Sequence, residues 1–386
     1  VLIPAERVGL IIADISGYTG YLTGSELAHA RDVMADLLET VLEAMGPAPR
    51  LSALEGDAVF LTVPEADLDG SMLLDTLEGC YFAFRRRIRS IARATTCPCN
   101  ACKGIRGLDL KFCVHHGEVV RQRIVGQEKL MGGDVILVHR LLKNTVTEIL
   151  GLQGYALFTA TCLERLHLDP VSLAMIPHQE QYEHFGPVAL YVHDLNGRWR
   201  RQEQTQRVPG RPEEADLAME VLLPAPLQMV WEYLTSPAKR WLWVVGVTAA
   251  HQEPVEQRRG VGTVIHCVHG EHSHPEQILD WHPFQGFTWV TPLPGFGVTT
   301  IDFDLLPVES GTNLQLCLRL AAPIPEDQRA TADQVLGEVR ASFETLTQIL
   351  GQEMSGREDA VNSILETRTR LRETATRSSA ERSRNL

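Results

Sequence analysis

An apolar run that ends in a single aspartate sets the strongest limit on how this chain can fold. "RVGLIIADI", residues 7 to 15, is too continuously apolar for a strand with one wet face, so it reads as a strand buried on both sides. Asp14 falls near its end, and a Gly-Tyr-Thr-Gly turn follows directly. Two readings fit. Asp and Gly are ordinary turn residues, so the segment can be a plain strand end. It can also be a metal–phosphate site, with the carboxylate on a cation and the loop's backbone N–H groups facing phosphate oxygens.

The period of the following residues places a second carboxylate. From Ser25 to Met45, the side chains of Met34, Leu37, Leu38, Val41, Leu42 and Met45 recur on one helical face, and Thr23 and Glu26 fit a capping box. "RLSAL" and "AVFLTV" read as short strands around a tight turn at Glu55-Gly56-Asp57. A second helix runs from about Ser71 into "FRRRIRSIARA", and "LDLKFCVHHGEVVRQRIV" reads as strand, turn at Gly117, strand. This β-α-β-β-α-β order is that of an α+β, ferredoxin-like fold. Its third strand lies between the first two and runs antiparallel to both, which brings Asp57 to the edge where Asp14 ends. Two carboxylates meeting there can hold Mg²⁺ on a polyphosphate. Without a cation they raise each other's pKa. The plainer alternative is that Asp57 makes its turn and Asp14 caps the next segment.

"IIADISGYTGYL", "LEGDAVF" and "GGDVILVHRLLKN" resemble the class III nucleotidyl cyclase homology domain, closest to a bacterial branch of cyclase-like proteins, over roughly residues 6 to 195. The resemblance implies that Asp14 and Asp57 are the carboxylates for Mg²⁺ or Mn²⁺. It implies that backbone groups from Ile15 to Thr19, Gly17 and Tyr18 included, face the metal and a nucleoside triphosphate. It also implies a head-to-tail homodimer with the nucleotide between protomers, and it places Arg140 where cyclases keep the arginine that stabilises the pentacoordinate phosphate. The departures are Ile136 for the ribose-orienting Asn, Ala53 for the purine-reading Lys and Lys129 for its partner carboxylate. A base pocket lacking both hydrogen-bonding side chains cannot select a purine through them. The expectation is a nucleotide-binding domain with weak or no cyclisation; the alternatives are an active adenylate or guanylate cyclase with atypical base recognition, and a dimerising scaffold.

"TTCPCNACKGI" places Cys97, Cys99 and Cys102 in a C-x-C-x-x-C loop, a spacing from which thiolates can converge on Zn²⁺. The fourth ligand is open between Cys113, Cys80, a histidine and a partner chain. A reduced connector and a redox pair are the other readings. His115 and His116, on opposite faces by strand alternation, read as turn histidines, and the arginines of "FRRRIRSIARA" as a solvated helix face.

"NGRWRRQEQTQRVPGRPEEAD", residues 196 to 216, has linker composition, which gives domains at 1–196 and 216–354, a linker at 197–215 and a polar helical or disordered tail at 355–386. The second domain opens on "PAPLQMVWEYLTSP", continues through several strands and closes on an amphipathic helix from about Asp327 to Leu350. That order resembles the START/Bet v1-like helix-grip superfamily (SRPBCC, polyketide cyclase-like). The resemblance implies a cavity for an apolar small molecule or lipid, with Trp231, Trp241, Trp243, Trp281, Phe287 and Trp289 as candidate lining residues. "HCVHGEHSH" reads as a histidine-bearing hairpin.

The net charge of −13 argues against general nucleic-acid binding, which needs a basic face. No apolar run approaches the ~18–20 residues of a membrane span. Eight cysteines, mostly scattered singly, fit a cytoplasmic protein with reduced thiols. The expectation for the whole is a signalling protein in which ligand in the second domain biases dimer geometry at the nucleotide site.

Overall fold

In the computed structural model the expected first strand, β1 (Glu6–Ser16), is an interior strand of a sheet with apolar layers on both faces. The structure describes residues 4–24, 26–94, 99–125, 127–205, 207–253, 258–269 and 272–356, without the side chains of residues 27, 28, 102, 127 and 272. The chain divides into two compact units, residues 1–206 with 256–258 and residues 207–255 with 259–386. Both combine helices with a sheet, antiparallel throughout in the second unit and antiparallel but for the β4–β6 pair in the first, so the α+β expectation stands.

In the first unit β1 is followed by α1 (Tyr18–Thr23), α2 (Leu27–Met45), β2 (Arg50–Glu55), β3 (Ala58–Pro64), α3 (Gly70–Ala94), α4 (Asn100–Gly104), β4 (Asp109–Ile124) and β5 (Gln127–Met131). Then come α5 (Gly133–Leu141), α6 (Val146–Leu150), β6 (Tyr155–Thr159), α7 (Ala160–Arg165), β7 (Ile176–Tyr182), β8 (Gly186–Asp194) and α8 (Leu195–Gln204). The sheet order is β2-β3-β1-β4-β6-β8-β7, with β5 paired to the far end of β4. As expected, β3 lies between β1 and β2, antiparallel to both.

Strand alternation sends Ile11, Ala13 and Ile15 into one core with α2 and α3, and Val8, Leu10 and Ile12 into a second core with α5. Each fully buried large apolar side chain of this kind contributes about 1.5–3 kcal/mol, which is why the buried stretch from Val8 to Ala13 carries no polar side chain.

Three local expectations change. No capping box forms: Thr23 closes α1, its hydroxyl donating to the Thr19 carbonyl at 2.8 Å, and Glu26 instead accepts the Ala101 N–H at 3.2 Å. Gly117 is not a turn, because β4 runs straight through it. The carboxyl of Asp134 approaches so closely that a Cβ at Gly117 would lie 2.3 Å from it, and only glycine fits there. The segment taken as a linker is helical up to Gln204, with Trp199 buried in the first unit's core.

The second unit runs β9 (Leu217–Leu223), α9 (Leu227–Thr235), α10 (Pro237–Trp243), β10 (Ala249–Glu253), β11 (Val264–His269), β12 (His272–His282), β13 (Gly286–Leu293), β14 (Gly297–Val308), β15 (Gly311–Leu320) and α11 (Arg329–Met354). Its strands form one antiparallel sheet in the order β10-β11-β12-β13-β14-β15-β9. The buried residues of α11 are Ala332, Ser342, Phe343, Leu346, Ile349 and Leu350, a helical stripe facing the interior. From Arg207 onward the linker belongs to this unit. Arg207 donates to Asp304 at 2.9 Å and to the Phe303 carbonyl at 3.2 Å, and the Gly210 N–H donates to Asp304 at 2.8 Å. The tail from residue 357 lies outside the described residues.

Candidate functional site

The Asp14 edge is assembled from three strands. Asp14 pairs in register with Ala58 of β3, and the Ile15 N–H donates to the Asp57 carbonyl at 3.2 Å, so the turn carrying Asp57 is stitched to the end of β1. On the other side Asp14 pairs with Lys111 of β4, whose ammonium lies 3.1 Å from the Asp14 carboxylate and also donates to the Leu142 carbonyl at 3.3 Å.

Burial pushes the Asp57 carboxyl above its ordinary range, the charge of Asp14 pushes it the same way, and Lys111 partly offsets both. The turn that carries Asp57 thus lies against the end of β1 that carries Asp14, and Lys111, which sequence reasoning missed, joins them there. Its signal was the alternation of "LDLKFC", which becomes informative only once the register of β4 against β1 is known.

The loop after Asp14 is more ordered than the Gly-Tyr-Thr-Gly turn suggested. Gly17 takes a left-handed φ of 87°, which reverses the chain into α1, and Tyr18 and Thr19 are the first residues of that helix. A cleft of about 280 Å³ lined by Gly17, Gly20, Tyr21, Gly24, Asn100, Gly104, Gly107 and Leu108 flanks it.

Arg140 sits exposed on α5, two residues before the carbonyl that holds Lys111, and no hydrogen bond or ion pair joins it to Asp14 or Asp57 among the described residues. Ile136 is 55 % exposed on the same helix. Next to Arg140, His139 is held between the Val135 carbonyl at 2.7 Å and Glu55 at 3.1 Å. His115, read as a turn histidine, is instead buried in mid-strand between Thr159 at 2.8 Å and Asp134 at 3.1 Å.

The cysteine loop divides. Cys97 and the side chain of Cys102 lie outside the described residues. Cys99 packs against the core under α2 and α3, its sulfur 3.3 Å from Nδ1 of His29. Cys113 belongs to the core on the other face of the sheet, which separates it from Cys99 and removes it as the fourth ligand. Burial pushes its thiol up to about 12. Cys80 is likewise a buried core residue, on α3. No group of three or more potential metal-ligating side chains occurs among the described residues.

In the second unit, Trp231 is fully buried against Trp281, Phe284 and Phe287, at ring distances of 4.8, 5.6 and 5.6 Å. Phe287 continues the cluster to Trp289 and Phe303. Trp243 lies apart, against Phe343, with its indole N–H donated to the Tyr233 carbonyl at 2.9 Å, and Trp241 is half-buried. Of the hairpin histidines, His266 stacks on His251 at 5.0 Å and His269 meets His274 edge-on at 5.2 Å; His272 contributes no described side chain. No helix among the described residues is long and apolar enough to cross a membrane.

Residues 34–149 match a family model described as "Protein of unknown function (DUF2652)". Among solved structures, the guanylyl cyclase Cya2 is similar at 14 % identity and a TM-score of 0.38, covering 50 % of this chain and 94 % of that one. Protein NE0264 from Nitrosomonas europaea is similar at 21 % identity and a TM-score of 0.31, covering 37 % of this chain and 97 % of that one. The Mycobacterium tuberculosis (strain ATCC 25618 / H37Rv) protein described as "Uncharacterized protein Rv2561/Rv2562" is 33 % identical over 165 residues, 42 % of this chain and 73 % of that protein. With that identity across most of its relative, the chain belongs to the family of the mycobacterial protein Rv2561/Rv2562.

Proposed function

We infer that the first unit is a class III cyclase-like, ferredoxin-like domain that binds a nucleoside triphosphate with Mg²⁺ or Mn²⁺ and cyclises it weakly or not at all. The observation that carries this reading is the meeting of Asp14 and Asp57 at one sheet edge, with Asp57 pushed up by burial and by its neighbour. Two hard oxygen donors in electrostatic conflict form a donor set that suits a divalent cation. When bound, the cation supplies neutralisation of phosphate charge. Lys111, beside Asp14, adds a fixed ammonium able to meet an anionic oxygen.

The base-reading positions Ala53, Lys129 and Ile136 favour binding with little purine discrimination. Arg140, exposed on α5, suits a role across a homodimer. The apolar side chains of Leu51, Leu54, Met131 and Ile136, each roughly half exposed at 52, 57, 49 and 55 %, suit the same assembly. The second unit is read as a helix-grip (SRPBCC) domain for an apolar small molecule or lipid, on the strength of its sheet order and the stripe of α11. On the cysteine loop, the Cys99 sulfur and the His29 nitrogen make a donor pair that suits Zn²⁺; metal analysis of wild-type and Cys97→Ser protein tests it.

A nucleotide panel with Mg²⁺ or Mn²⁺, read by thermal shift and by mass spectrometry of products, separates the readings. Stabilisation without product supports the binding domain. Cyclic product that disappears in Asp57→Ala makes it an active cyclase. Dimers with neither effect make it a scaffold.

A further inference from the structure

The second unit's interior leaves a group of hydrogen-bond donors without acceptors. Arg240 of α10 and Glu276 of β12 are 4 and 8 % exposed and form a doubly bonded ion pair, one contact being 3.0 Å. The Arg240 guanidinium lies over the Trp289 ring at 4.4 Å. Trp289 and Thr291 alternate onto the same buried face of β13, at 4 and 2 % exposure. The register pairs Gln277 with Val290, which brings Glu276 and Thr291 to neighbouring positions on adjacent strands. Arg240 Nε, Trp289 Nε1 and Thr291 Oγ1 are all buried without a hydrogen-bond partner.

Buried polar atoms in folded proteins almost always find a partner, and three orphans around one ring call for an acceptor from outside the chain. An indole N–H and a guanidinium N–H can only donate, so the missing group is an acceptor. The Arg240 charge is already matched by Glu276, whose own carboxyl burial pushes up, so a second carboxylate would meet repulsion. Phe287, Phe303 and Ile301 surround the spot and dictate an apolar remainder.

We propose that Arg240, Trp289 and Thr291 form a polar subsite that takes the neutral acceptor oxygen, a ketone or ester carbonyl, of an otherwise apolar small molecule. This rests on the reading of the second unit as a small-molecule-binding domain.

The test titrates the full chain with 2-nonanone, nonane and nonanoate, read by displacement of the dye 8-anilinonaphthalene-1-sulfonate. Thr291→Val and Trp289→Phe are compared with wild type after circular dichroism and melting confirm that each is folded. The expected result is that 2-nonanone binds about fivefold more weakly in Thr291→Val, the loss of one hydrogen bond, while nonane binding is unchanged there, and that Trp289→Phe weakens 2-nonanone about fivefold more than it weakens nonane. If nonane and 2-nonanone bind but neither variant weakens the ketone, bound water satisfies the donors; the subsite is then wrong and the small-molecule reading stands. If nonanoate binds tightest and depends on Thr291, the neutral class is wrong. If none of the three displaces the dye, both readings fall.

Discussion

At Asp57 the carboxyl holds its proton more tightly in the folded chain than in the unfolded one, because burial and then Asp14 disfavour its charge. For a raised acid, stability is lost as pH rises through the unfolded value of 3.8 toward the folded one, and the loss is complete once the group is ionised. Removing that charge without changing its shape relieves the conflict. Asp57→Asn is therefore expected to melt about 2 °C higher than wild type at pH 7.5 in the absence of divalent ions. The same variant is expected to lose the rise in Tm that Mg²⁺ or Mn²⁺ gives wild type. Differential scanning calorimetry with and without metal checks both. A variant that melts lower in metal-free buffer would mean the carboxylate makes a structural bond, and the cation reading would lose its main support. Lys111 is the counterweight: it offsets part of the repulsion but reaches only Asp14 and the Leu142 carbonyl among its described contacts.

The joint between β4 and α5 turns on the absence of one methyl group. Asp134, at the start of α5, accepts the Glu118 N–H at 2.7 Å and lies 3.1 Å from His115, and both contacts require its carboxyl to press on the bare backbone of Gly117. Gly117→Ala is expected to destabilise the first unit by about 1–3 kcal/mol, as overpacking does, measured by urea unfolding; an effect below about 0.5 kcal/mol would mean α5 shifts freely. The same joint shows where sequence reasoning holds and where it stops. β1, β2, β3, α2 and α3 were legible because their apolar periods are long and their ends carry turn residues. Gly117 was misread because a glycine that makes room for a neighbour looks like a glycine that makes a turn. Lys111 was missed and Cys113 misplaced for one shared reason: both depend on which strand lies beside β4 and on which face each residue falls. The linker looked polar because α8 shows the core little more than Leu195 and Trp199.

Across the whole molecule, two buried histidines of the first unit, His115 and His193, tie that unit's stability to acid. Burial lowers the pKa of His115 despite its bond to Asp134, and lowers that of His193 despite its bond to Glu78. A histidine lowered in this way contributes its full stability above the unfolded value of 6.5 and loses it as pH falls through the folded value. Each can add at most about 1.4 kcal/mol per pH unit to the slope. Asp57 and Asp109, raised by burial, run in the opposite sense, so the total slope does not isolate the histidines. Comparison with His115→Gln does. Five of the six tryptophans lie in the second unit and only Trp199 in the first, so tryptophan fluorescence follows mainly the second unit while far-ultraviolet circular dichroism sees both. Between pH 7.5 and 5.5 the wild-type protein is expected to lose the first-unit transition toward lower temperature in the dichroism signal. The Tm gap between wild type and His115→Gln should narrow over the same range, since the variant has no buried imidazole left to protonate there. A gap that widens as pH falls would show the Asp134 carboxylate outweighing burial, and His115 would then be a charged partner of α5 rather than a neutral one.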